Sequence, residues 1–190
     1  MRMIRWEVRM KRIIREDLLK DISIDLKKYK IIYLEAPCGW GKTTLLCQLE
    51  EQLKKMSCSF IYNSEIERMK YTTESVIERK ENMIFLVDNL GEWVISGNID
   101  RLVEYIETAD IDSRFVMAGR IPLPAQLLPY KLTSQVKIYG KEKLKFSIKE
   151  IMHICDTQSK NEKAQFEELY EISQGMPLFM TVARGYLEGV

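Results

Sequence analysis

The chain has 190 residues, 46% hydrophobic and 30% charged, enough for one α/β domain with a core and a small appendage but not for two full domains. Its 29 lysines and arginines against 28 acidic residues leave a formal charge of +1, which argues against a dedicated nucleic-acid surface. No apolar run approaches the length of a membrane span or has the make-up of a signal peptide, so the expectation is a cytoplasmic protein with no membrane partner.

The first fifteen residues, MRMIRWEVRMKRIIR, gather Arg2, Arg5, Arg9, Lys11, Arg12 and Arg15 against a single Glu7. A targeting or nucleic-acid arm is one reading. An amphipathic lead-in with its charges in solvent is the favoured one.

The apolar run IIYLE then leads into APCGWGKTT, which is Ala36, Pro37, Cys38, Gly39, Trp40, Gly41, Lys42, Thr43 and Thr44, and TLLCQLEEQL follows with helical spacing. Strand, glycine-containing turn and helix fit the phosphate-loop pattern [AG]-x-x-x-x-G-K-[ST]. Gly39 and Gly41 let the backbone bend around an oxyanion so that successive N–H groups point inward, and the helix beginning near Gly41 adds the positive end of its dipole. Lys42 is expected to reach the β- and γ-phosphates of ATP or ADP, and Thr43 to bind Mg²⁺, which prefers oxygen donors. Ala36 is tolerable because the first position of the motif mainly has to be small.

Four cysteines, Cys38, Cys47, Cys58 and Cys155, form no C-x-x-C pair, and the single His153 lies close only to Cys155, so neither a zinc site nor a disulfide framework is expected. Cys38, beside helix amides and Lys42, reads as ordinary loop packing, with an oxidisable thiol as the alternative.

KIIYLE, SCSFIYN, NMIFLVDN, SRFVMAG and SQVKIYG alternate with helix-like segments, as in a mostly parallel five-stranded sheet flanked by helices. The stretch TTESVIERK reads as one of those helices. IDRLVEYIETA places Leu102, Val103, Ile106 and Ala109 on one helical face, the crossover of a βαβ unit. Asp88, after the apolar run 83–87, is placed as the second acidic anchor, acting on Mg²⁺ through bound water. The following position, where many NTPases carry a second acid, is Asn89; an amide orients water but cannot take its proton. Hydrolysis is therefore expected to be slow, absent, or dependent on Glu92 or another chain, and the alternative is that Asn89 only forms a turn. Arg120, just past the fourth strand, is the candidate γ-phosphate sensor.

From about Phe146 only helical patterns remain: FSIKEIMHICD, EKAQFEELYEIS and PLFMTVARGYLEG. Ser147 and Glu150 make a capping box, Gly175 ends the second helix and Pro177 opens the third. The expected division is a nucleotide-binding core over 1–145 and the start of an all-helical domain over 146–190.

Several of these motifs, in order, resemble those of the signal-transduction ATPases (the STAND class) of large LuxR-type, maltose-activator-like transcriptional regulators. APCGWGKTTLL resembles their APAGYGKTTLL loop, and FLVDNL their Walker B, which usually carries two adjacent acids. RFVMAGRIPLPAQLLPYKL resembles the segment whose strand-end arginine is a sensor, KLKFSIKEI the L-x-F-s-x-x-E stretch, and LYEISQGMPLFMTVA the helix with the Gly-x-Pro motif. The resemblance runs from about Arg12 to the C-terminus. It implies an ATP-driven switch in which ADP holds a resting state, while ATP with an inducer favours self-association. It also implies that Pro177 sits at the adenine, and that DNA is met only through a domain absent from this chain, an excised or truncated N-terminal module. Asn89 departs from the pattern and puts turnover in doubt.

Two other functions compete. A small-molecule kinase has similar size and the same loop, but SCSFIYNSEI offers only Glu65 and Arg68 for a substrate, and no arginine-rich lid is visible. A scaffold that binds no nucleotide is at odds with the intact Lys42, Thr43 and Asp88.

Overall fold

The computed structural model describes residues 13–55, 60–62, 83–154 and 160–187. The sheet is built from β1 (Ile31–Glu35), β2 (Phe60–Tyr62), β3 (Ile84–Val87), β4 (Arg114–Gly119) and β5 (Val136–Gly140), in the order β2-β3-β4-β1-β5 with every neighbouring pair parallel. Four strands of four to six residues form its body, and β2 is a three-residue edge.

Successive residues of a strand point to opposite faces, and here both faces are covered. Ile32, Leu34, Leu86, Val116 and Ala118 pack on one side, with Leu45, Leu46 and Leu49 of the helix Lys42–Lys55. Ile31, Tyr33, Phe85, Val87, Phe115 and Met117 pack on the other, with the helices Leu90–Ile95 and Ile99–Thr108. This two-sided burial explains why the strands read as unbroken apolar runs. Phe85 stacks on Phe115 with ring centroids 4.6 Å apart. In Ile99–Thr108, Ile99, Leu102 and Ile106 are buried and Val103 and Ala109 pack at their margin, the face expected from the spacing.

Of the basic lead-in only residues 13–15 are described, and one of them, Arg15, departs from expectation. Residues Glu16–Asp25 form a helix whose Leu18, Leu19 and Ile22 are buried against the first face. Arg15, expected in solvent, is only 6% exposed. Its charge is held by protein oxygens: Nε donates to Glu150 at 2.9 Å, and the two terminal nitrogens donate to the carbonyls of Leu144 and Lys145 at 2.7 Å each. Arg2, Arg5, Arg9, Lys11 and Arg12, like the TTESVIERK segment, Cys58 and Cys155, lie outside the described residues.

After β5, a short helix Lys141–Leu144 precedes Ile148–Ile154, Lys160–Ser173 and Pro177–Leu187. The capping box forms as the sequence predicts, with the Glu150 amide donating to Ser147 Oγ at 3.2 Å and the Ser147 amide donating to Glu150 Oε2 at 2.7 Å. Gln174 and Gly175, at φ 50° and 72°, stop the second of these helices, and Pro177 opens the last. Among the described residues, Phe146, Ile151 and Met180 make a separate buried cluster.

Candidate nucleotide site

At the end of β1 the chain enters the loop 36–41. Ala36 is 3% exposed, packs in the core of the first face, and its amide donates to the Gly119 carbonyl of β4 at 3.3 Å. Gly39 and Gly41 lie at φ 85° and 73°, where a Cβ is strained. The helix then starts at Lys42, and its first amides face the loop end.

Lys42 is buried to 9% exposure and its Nζ donates to the carbonyls of Ala36 at 2.5 Å and Pro37 at 2.7 Å. Burial lowers its pKa, and the charge of Arg120 lowers it further; Asp88 and Cys38 oppose the shift. A lysine in that position gains from an incoming anion, which supplies the charge its surroundings lack. Thr43 Oγ1 donates to Asp88 Oδ2 at 2.7 Å, and the Asn89 amide donates to Asp88 Oδ1 at 2.8 Å. Both carboxylate oxygens are thereby oriented. A hydroxyl and a carboxylate side by side are hard oxygen donors of the kind Mg²⁺ takes while keeping several waters, so Thr43 and Asp88 fit the ion.

Asn89 occupies the left-handed region at φ 53°, ψ 49°, and its side chain makes no cap to the helix that follows. Asparagine is among the few non-glycine residues that tolerate this conformation. The position is therefore at least a turn former, because a β-branched or bulky residue would be strained there. Arg120 is exposed immediately after Gly119, within electrostatic reach of Lys42. Tyr33 braces that corner: its hydroxyl runs over Gly119, where a Cβ would collide with it, and donates to the Ile121 carbonyl at 2.6 Å. Cys38, Thr43 and Thr44 are exposed, and Trp40 packs at the edge of the core.

The Gly-x-Pro turn lies against the same loop. The Leu178 amide donates to the Gly39 carbonyl at 3.0 Å, a Cβ on Gly39 would run into Met176, and one on Gly41 would come within 3.7 Å of Pro177. Lys42, Thr43, Asp88, Arg120 and Pro177 are thus gathered around one loop. Met176 and Leu178 are loop partners that the sequence marks only by their adjacency to Pro177. Tyr33 is equally hidden there, reading as one more apolar strand residue.

Among solved structures, the chain is similar to the Walker-type ATPase PABY2304 of Pyrococcus abyssi, with TM-score 0.60 and 12% identity over 93% of this chain and 68% of that one. It is also similar to two point mutants of RuvB from Thermotoga maritima, one at TM-score 0.54 and 18% identity and the other at 0.53 and 16%, in each case over 93% of this chain and 62% of that one. The chain has the fold of the P-loop ATPases. It spans about two thirds of the length of these structures. No family model matches the sequence, and no curated protein does. Among the described residues, no helix is long and apolar enough to cross a membrane.

Proposed function

We propose that the chain is an ATP-binding regulatory module, a nucleotide-dependent switch of a LuxR-type transcriptional regulator, with weak or absent hydrolysis. The observation that carries the proposal is the seat of the helix Pro177–Leu187 on the phosphate loop, through the Leu178 amide on the Gly39 carbonyl. A switch requires contacts that differ between nucleotide states. Any adjustment of the loop around a phosphate is felt by that helix directly.

In this reading each residue of the loop has a role. The loop amides and the start of the helix Lys42–Lys55 receive the phosphates, and Lys42 exchanges the carbonyls of Ala36 and Pro37 for phosphate oxygen. Thr43 and Asp88 would hold Mg²⁺, which when bound neutralises phosphate charge. Asn89 orients water without accepting its proton, which keeps turnover low. Arg120, exposed beside Lys42, registers the γ-phosphate. The helices from Phe146 onward begin an all-helical domain. Partners in this proposal are an inducer, a second copy when ATP is bound, and DNA through a domain outside this chain, all in the cytoplasm.

Calorimetric titration with ATP and ADP in Mg²⁺, beside Lys42→Ala, tests the site. Lys42-dependent binding with ADP held more tightly is expected; affinity that survives the substitution unchanged would overturn it. Asn89→Asp, which the left-handed backbone tolerates, is expected to raise the hydrolysis rate. An unchanged rate would mean that the missing acid is not what limits turnover.

A further inference from the structure

Arg15 is the most deeply buried charge in the described residues that the nucleotide site does not use. Its guanidinium makes three hydrogen bonds, to Glu150, Leu144 and Lys145, and lies over the Phe146 ring at 5.3 Å from the centroid. Its backbone is fixed from the other side. Gln48, on the helix that begins at Lys42, accepts from the Arg15 amide at 3.2 Å and donates to the Ile13 carbonyl at 2.5 Å.

From there the contacts continue. The Phe146 amide donates to the Gly175 carbonyl at 2.8 Å, and a Cβ on Gly175 would stand 2.8 Å from the Phe146 carbonyl, so this crossing is tight. Three residues on, the Leu178 amide reaches Gly39. The path is a closed ring: phosphate loop, Gln48 on its helix, Arg15, the junction 144–150, the turn at Gly175, and the phosphate loop again.

Polar links of this kind are all-or-none, because a buried guanidinium deprived of its acceptors is left uncompensated. Apolar packing stands beside them: among the described residues Phe146, Ile151 and Met180 are buried, with Ile13, Leu169 and Tyr170 packed against them. We propose that Arg15 is the clasp of this ring, fastening the C-terminal helices onto the phosphate loop and so setting how readily bound nucleotide leaves. The nucleotide part rests on the proposed function; the fastening itself does not.

The experiment uses the full chain and two variants, Arg15→Ala and the milder Glu150→Gln, which keeps one acceptor oxygen but loses the negative charge and the second oxygen that serves Ser147. Amide hydrogen exchange without nucleotide is read beside dissociation of a fluorescent ADP analogue. The expected result is exchange faster by about tenfold or more at 144–150 and at Leu178, with β1 and β4 unchanged, and analogue release accelerated several-fold. Faster exchange at 144–150 with Leu178 still protected would overturn the proposal, because the clasp would then be local. Equal acceleration throughout β1 and β4 would overturn it as well, by showing a general loss of stability. Binding of no analogue by the unmodified chain would sink the nucleotide assignment, and exchange at Leu178 would still decide the clasp.

Discussion

The two ends of the molecule are held by different forces. The sheet is fastened by apolar burial on both faces, where Tyr33, Leu86, Phe115, Val116 and Met117 are without measurable exposure. Each large side chain of that kind contributes about 1.5–3 kcal/mol. Among the described residues, the helices beyond Phe146 bury Phe146, Ile151 and Met180 together, and directional groups tie them to the rest of the chain and to one another: Arg15 on Glu150, Leu178 on Gly39, Phe146 on Gly175. A buried polar group that loses its partner is left unsatisfied, which costs more than the bond itself contributes. The contrast predicts where the molecule would give way first: the seam along the C-terminal helices, while the sheet holds the phosphate loop.

The largest effect is expected in the sheet. Phe115→Ala removes the ring that stacks on Phe85 between two covered faces, and a loss of about 3–5 kcal/mol is expected. Chemical denaturation should show both regions unfolding together, because the helices lean on a sheet that is no longer there. Helices that outlast the sheet in circular dichroism would show that they fold independently.

A smaller effect is expected at the seam. Gly175→Ala places a side chain at φ 72°, facing the Phe146 carbonyl and the Tyr170 ring. The backbone conformation alone costs roughly 1–3 kcal/mol. The expected outcome is faster proteolysis within 160–187 with little change in the unfolding of the sheet. If both change in proportion, the seam is as much a part of the cooperative core as β4, and the contrast between the two regions fails.

The same contrast governs what was legible in the sequence. Strand positions, the phosphate loop and Asp88 could be read because their signals are local: unbroken apolar runs, a glycine-lysine-threonine at a strand-to-helix turn, an acid at a strand end. The capping box of Ser147 and Glu150 was readable for the same reason. Arg15 was not. Its acceptor is 135 residues away, and a basic cluster without a nearby acid looks like a solvated face. The run of charge before it also hid the spacing of Leu18, Leu19 and Ile22, and with it the helix Glu16–Asp25. Pro177 was legible as a helix start, but nothing local to it could place it on Gly41. Chain-distant pairs formed by a single polar contact leave almost no periodic trace, and the seam is built of them.

The smallest expected effect is also specific to the seam. Burial works to raise the pKa of Glu150, but the hydrogen bonds from Arg15 and Ser147 and the charge of Arg15 outweigh it and hold the carboxyl below its ordinary value of 4.5. A carboxylate shifted downward stabilises the folded state above its unfolded pKa, and that contribution disappears as pH falls through the folded value. The attachment of the helices should therefore be constant near neutrality and weaken in acid below about pH 4.5. Proteolysis of 160–187 by an acid-active protease, followed downward from about pH 5, should accelerate before the sheet unfolds, and Glu150→Gln should start fast and lose that part of the pH dependence. Identical profiles for the two proteins would show that the acid sensitivity of the seam lies in another group.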